Sequence, residues 1–129
     1  MDDLSFMYIY KKWKKSVKSD SRQAKELEEQ MKESMIVTAI LKYLRNIKGC
    51  FCWKEHGGIH GTAGIPDIIA CVRGRFVAFE VKTPSNDLTD LQRVTIRKIN
   101  EAGGIAAKVT SVYEVKRIIE KIMEDEAND

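Results

Sequence analysis

A chain of 129 residues with 43% hydrophobic and 32% charged side chains and only two prolines has material for one modest core; this composition excludes fibrous and disordered classes. No apolar run approaches the roughly 20 residues of a membrane helix and the N-terminus has no apolar signal core, so an intracellular protein, cytoplasmic or nucleoid-associated, is expected. The net charge of +3 is uneven: residues 120–129 hold five acids and one lysine, leaving +7 on the rest, a balance suited to a polyanionic partner.

Residues 4–18 place Phe6, Ile9, Tyr10, Trp13 and Val17 at helical spacing, with Lys11, Lys12, Lys14, Lys15 and Lys18 around the remaining surface. This basic amphipathic helix suits phosphates, a partner or a dimer interface, or simply packs its aromatic side on the domain. Ser19, Asp20 and Ser21 offer N-caps for a second helix, whose pattern from Ala24 and Leu27 to Leu44 continues to Lys48, with room for a break near Ser34. Gly49 ends it.

Cys50 to His56 has the alternation of a strand, with Cys50, Cys52 and Lys54 on one face and Phe51, Trp53 and Glu55 on the other. The three cysteines, Cys50, Cys52 and Cys71, are an odd number without an export signal, which argues for reduced thiols. Cys-x-Cys with His56 lacks the second ligand pair of common zinc sites. The glycine-rich loop from Gly57 to Gly64 has no lysine followed by Ser/Thr as a P-loop would, and suits close approach of another backbone.

Apolar runs Ile68–Val72 and Phe76–Val81 then flank Arg73-Gly74, the pattern of a β-hairpin. A two-residue loop sets Val72 against Arg75 and, counting outward, Asp67 against Glu80, with Cβ atoms about 4.5–5.5 Å apart. Lys82 shares the face of Glu80. Two carboxylates this close repel unless a proton or cation lies between them, and a hard ion such as Mg²⁺ suits such oxygens. An adjacent ammonium stabilises charge on a phosphate or helps deprotonate a water, so the constellation points to metal-assisted phosphodiester hydrolysis. The competing interpretation, a solvated charge pair on a surface hairpin, leaves unexplained why charges interrupt strands otherwise apolar on both faces.

Thr83-Pro84-Ser85-Asn86-Asp87 is a turn cluster, followed by a helix from Thr89 to Ala102 with Leu91, Val94 or Thr95, Ile99 and Ala102 inward. Gly103-Gly104 closes it. Thr89-x-x-Gln92 fits a capping box. Ile105–Thr110 is a short strand, and Ser111 caps a last helix packing through Val112, Val115, Ile118, Ile119 and Ile122. The acidic end from Glu120 to Asp129 is expected to be a frayed terminus.

Pro66-Asp67, twelve residues, then Glu80-Val81-Lys82 resembles the PD-(D/E)xK nuclease signature. With Gly-Ile-Pro-Asp-Ile-Ile, the short hairpin, Phe-Glu-Val-Lys, Leu91-Gln92 and Gly103-Gly104, the stretch from Glu33 to Ile119 is similar to the VRR-NUC family of virus-type replication and repair nucleases. The resemblance implies a small mixed central β-sheet flanked by α-helices, an α/β restriction-endonuclease-like core. It divides the chain into a basic helical extension (1–30), a nuclease domain (31–122) and an acidic tail (123–129), and admits a viral source. It implies Mg²⁺, with Mn²⁺ substituting, held by Asp67, Glu80 and the Val81 carbonyl, with Glu33 as the candidate third acid on the helix, where Val37 follows one turn later. Lys82 becomes the catalytic lysine and Gln92 the side chain that leans on it or on the attacking water, a role at odds with capping by the same side chain.

The activity so implied is a metal-dependent DNA endonuclease acting on branched DNA such as Holliday junctions, as a homodimer. Lys54, His60, Arg93 and Arg97 are candidate phosphate contacts, although a solvated face also explains the arginines. Two other functions fit the same residues: a sequence-specific restriction-type enzyme, and a nucleic-acid-binding module that kept the fold and lost cleavage.

Overall fold

The computed structural model describes residues 3–16, 21–56 and 63–128. Helices α1 (Asp3–Ser16) and α2 (Arg22–Arg45) precede strands β1 (Cys50–Lys54), β2 (Ile68–Val72) and β3 (Arg75–Val81); α3 (Asp90–Glu101), β4 (Ile105–Val109) and α4 (Val112–Ala127) follow. The strands form one sheet in the order β1-β2-β3-β4. The first three are antiparallel and β4 runs parallel to β3, with α3 as the crossover. The mixed sheet flanked by helices is the α/β architecture expected from the sequence.

The β2–β3 register is the one the two-residue loop requires, with Val72 opposite Arg75 and Ile68 opposite Phe79. Arg73 and Gly74 both take positive φ, 51° and 86°. That is the type I′ pattern, whose twist matches that of the flanking strands. Alternation then sorts the sheet. Val77, Phe79 and Val81 join Ile68, Val72 and Val109 against Ile40 and Leu44 of α2 and Val115 and Ile119 of α4, forming the main core. On the opposite face Ile69, Ala78 and Ala106 pack against Ile65 and against Ile96 and Ile99 of α3. As the central strand covered on both faces, β3 has the continuous apolar run such burial demands.

The elements depart from the sequence pattern in several places, among them the end of α2, which stops at Arg45 with Asn46 as its cap rather than running to Lys48. Helix α2 is unbroken at Ser34, because the Ser34 and Thr38 hydroxyls donate back to the Gln30 and Ser34 carbonyls at 3.0 Å and are satisfied within the helix. In α1, Ile9 is exposed while Tyr10 docks on α2, its hydroxyl donating to Glu28 at 2.8 Å; Val17, Lys18 and the Phe6 side chain lie outside the described residues. The acidic end is helical to Ala127, with Lys121 paired to Asp125 one turn on at 3.2 Å. In α3, Leu91 is 50% exposed and Ala102 is also exposed; Ile96 and Ile99 carry the packing instead.

Leu91 and Thr95 instead crowd Gly64, at the entrance to the strand that carries Asp67. Gly64 has φ +82°, and a Cβ there would lie 2.8 Å from both Leu91 Cγ and Thr95 Oγ1. Gly74 also has positive φ but open space around it. Gly64→Ala is therefore expected to lower the thermal midpoint by about 3–10 °C, from about 1–2 kcal/mol of left-handed strain plus the contact. Gly74→Ala should lower it by less. Equal losses in thermal denaturation would show that crowding against α3 plays no part.

Candidate active site

The hairpin register carries Asp67 and Glu80 to one level, one step beyond the Ile68–Phe79 pair. The Val81 N–H donates to Asp67 Oδ2 at 2.8 Å, tying the aspartate to β3 at the motif itself. Glu80 shares the sheet face of Ala78 and is only 4% exposed. Its Oε1 accepts from Gln92 Nε2 at 3.0 Å and lies 4.0 Å from Lys82 Nζ. Burial pushes the Glu80 carboxyl up to about 8, the adjacent Asp67 carboxylate adds to the rise, and Lys82 offsets part of it. The pair is thus poised to share a proton or a cation.

Gln92 departs from the expectation that it must choose between two tasks. Its Oε1 accepts from the Thr89 N–H at 2.9 Å while the Thr89 hydroxyl accepts from the Gln92 N–H at 3.2 Å, completing the capping box. Its Nε2 remains free to donate, and it does so to Glu80 rather than to Lys82. An amide has two ends, and the helix start lies close enough for each to be used.

Glu33 faces the same region from α2, accepting from Asn86 Nδ2 at 3.3 Å. With Lys82, Asn86 and Glu29 it lines a cleft of about 610 Å³. Glu29, one turn earlier, went unnoticed in the sequence. Its carboxylate accepts from the buried Thr83 hydroxyl and lies 3.5 Å from Ser85 Oγ and Asn86 Nδ2, so it clasps the turn that follows Lys82. No local pattern marks it, because its partners lie 54 to 57 residues away. Lys108 was missed as well: the parallel register sets it beside Glu80, and its Nζ lies 3.7 Å from Asp87 Oδ1. A lone charge inside the apolar run from Ile105 to Val109 marked it.

The candidate phosphate contacts are scattered. Lys54 is exposed at the end of β1. Arg93 is paired with Asp87 at 2.7 Å and Asp90 at 3.1 Å, and Arg97 with Glu101 at 3.9 Å. His60 lies outside the described residues. Cys50, Cys52 and Cys71 are free thiols, and burial pushes the Cys50 thiol up to about 11.

Among the described residues no group of three His, Cys, Asp or Glu side chains is placed to hold a metal ion, so Glu33 does not join Asp67 and Glu80 in one cluster. The two opposed carboxylates nonetheless fit Mg²⁺ or Mn²⁺, since such ions commonly take one or two protein carboxylates and complete their shell with water and phosphate oxygens.

Solved structures similar to this chain include the following two. One, described as a VRR_NUC domain, has TM-score 0.58 and 22% identity, covering 69% of this chain and 95% of that one. The other, a VRR_NUC domain protein, has TM-score 0.55 and 18% identity over 70% and 86% of the two chains. No protein-family model and no curated protein sequence matches. The chain therefore has the fold of the VRR-NUC domains, the family that its Pro66-Asp67 and Glu80-Val81-Lys82 motif resembles.

Proposed function

We propose that this chain is a Mg²⁺- or Mn²⁺-dependent endodeoxyribonuclease, a hydrolase of phosphodiester bonds. The observation that carries this reading is the half-buried Asp67 opposed to the buried Glu80, with Lys82 and Gln92 on Glu80, in a fold shared with VRR_NUC domains. Asp67 and Glu80 would hold the ion, with the Val81 carbonyl as a further oxygen and Glu33 at the edge of the cleft. Bound there, the metal supplies an acidified water and neutralises phosphate charge.

The chain's own residues do the rest. Gln92 fixes the Glu80 carboxyl by one oxygen, leaving the other for the site. Lys82, whose side chain is 16% exposed and lines the cleft, orients or deprotonates the water or balances charge on the phosphate. The basic body supports a DNA partner. Branched DNA such as a Holliday junction as substrate, and a homodimer as working unit, are proposed on the family resemblance.

Cleavage of single-stranded, linear duplex, forked and four-way-junction DNA in Mg²⁺ tests the reading. We expect wild type to cut branched DNA, EDTA to abolish cutting, and Asp67→Asn and Lys82→Ala to slow it by about 100-fold or more. Binding without cutting on every substrate would leave the non-catalytic module; cutting of linear duplex at one sequence would leave the restriction-type enzyme.

A second test needs no substrate. The raised folded-state value of Glu80 means that its contribution to stability is full at acid pH and is lost as pH rises from 4.5 toward about 8. Without metal, Glu80→Gln should melt above wild type by roughly 3 °C or more at pH 8, the gap closing toward pH 5. Mg²⁺ should raise the wild-type midpoint and leave the variant's nearly unchanged. Parallel pH profiles for the two proteins would contradict the buried-carboxylate account.

A further inference from the structure

Among the described residues the sheet face that bears Asp67 and Glu80 is only partly covered. Helix α3 packs over Ile69, Ala78 and Ala106, leaving β1 at the open edge. Alternation puts Phe51 and Trp53 on this face, opposite Cys71 and Ile69, and both are exposed, by 71% and 41%. Their ring centroids are 5.8 Å apart with planes inclined by 48°. Trp53 Nε1 donates to Glu55 Oε2 at 2.9 Å, which fixes the indole, and the Glu55 N–H donates to the Asp67 carbonyl at 2.7 Å. The indole is thus braced against the residue next to Asp67.

We infer that Phe51 and Trp53 form a stacking platform for an unpaired nucleobase beside the scissile phosphate, an inference that rests on the nuclease reading and narrows its substrate to DNA with an unstacked nucleotide. Trp53 pairs with Ile69, two residues from Asp67 and one strand across, so the two backbones are about 8 Å apart. That is two to three stacked nucleotides at about 3.4 Å each. A base inside a duplex has both faces covered by its neighbours, whereas one at a fork, junction or single-stranded end offers a face to an aromatic ring. The platform runs without a break into the row Glu55, Asp67 and Glu80, so a strand lying on it would lead to the carboxylate pair. This continuity favours nucleic acid over a second copy of the chain, which would compete with substrate for the same face.

Asp67→Asn protein in EDTA, where nothing is cut, permits the test by fluorescence anisotropy on a single-stranded oligonucleotide, a fork and a blunt duplex. Phe51→Ala and Trp53→Ala should weaken single-strand and fork binding about ten-fold or more and duplex binding less than two-fold; Trp53→Phe should retain most of the affinity. Equal losses on all three DNAs, or no loss, would overturn the platform. So would variants that turn a dimer into a monomer by light scattering while losing affinity, because the patch would then be a protein interface. Cleavage in Mg²⁺ by chains with native Asp67 separates the two ideas. Cutting that survives in the alanine variants with unchanged preference removes the platform alone, and stacking losses in a chain that never cuts remove the nuclease alone.

Discussion

A carboxylate on the central strand of a sheet, buried and facing a second carboxylate, is the constraint around which this domain is arranged. Glu80 would be more comfortable in water or replaced by an apolar residue, as its neighbours Phe79 and Val81 are. The fold spends several independent devices on keeping it in place. The type I′ turn at Arg73-Gly74 fixes which residue of β2 stands opposite, Gly64 brings the chain past α3 into β2, and the Val81 N–H holds Asp67. Each acts on backbone position, which is why the pair can be unfavourable and still well defined.

Polar side chains supply a second level of support, and they link elements far apart in sequence. Gln92 joins the start of α3 to Glu80, while Glu29 and Glu33 join α2 to the turn after Lys82. The turn therefore cannot shift without breaking contacts to α2, and Lys82 is held at its base although its ammonium reaches toward the cleft. Hydrogen bonds to charged groups are worth more than neutral ones, and the Thr83 hydroxyl that donates to Glu29 is buried, so loss of the acid would leave it only the longer contact to Ser85 Oγ at 3.4 Å. Helix α2 thus serves two purposes along its length: Val37 to Leu44 fill the core, and Glu29 and Glu33 buttress the site.

The register was legible from sequence because a two-residue turn and a period of two leave no freedom: once Val72 faces Arg75, Asp67 faces Glu80. The unbroken β3 run was legible for the same reason. Tertiary pairings were not. Nothing local distinguishes Glu29 from the other acids of α2, since its partners lie 54 to 57 residues away. Periodicity placed Leu91 and Ile9 on inward faces by spacing alone, and spacing does not say what lies opposite. Leu91 meets Gly64 at the edge of the sheet, and Ile9 faces away from the α1–α2 contact made by Tyr10. Gln92 serves both tasks because its side chain has a donor end and an acceptor end, a division that residue type shows but spacing does not.

The unequal cover of the sheet bears on how the proposed chemistry would be reached. Both faces of β3 are packed, one by α2 and α4 and the other by α3, so no polymer can approach Glu80 from directly above. Among the described residues two open surfaces lie near the pair: the cleft lined by Lys82 and Glu33, and the β1 edge with its two exposed aromatic rings. A polyanion entering only at the first would meet Glu29 and Glu33 as well as Lys82, a mixed and weakly attractive surface. One lying along the second would rest on apolar rings and reach Asp67 before the buried Glu80, which makes the less buried aspartate the first contact of the pair and leaves Lys82 on the far side to receive the phosphate charge.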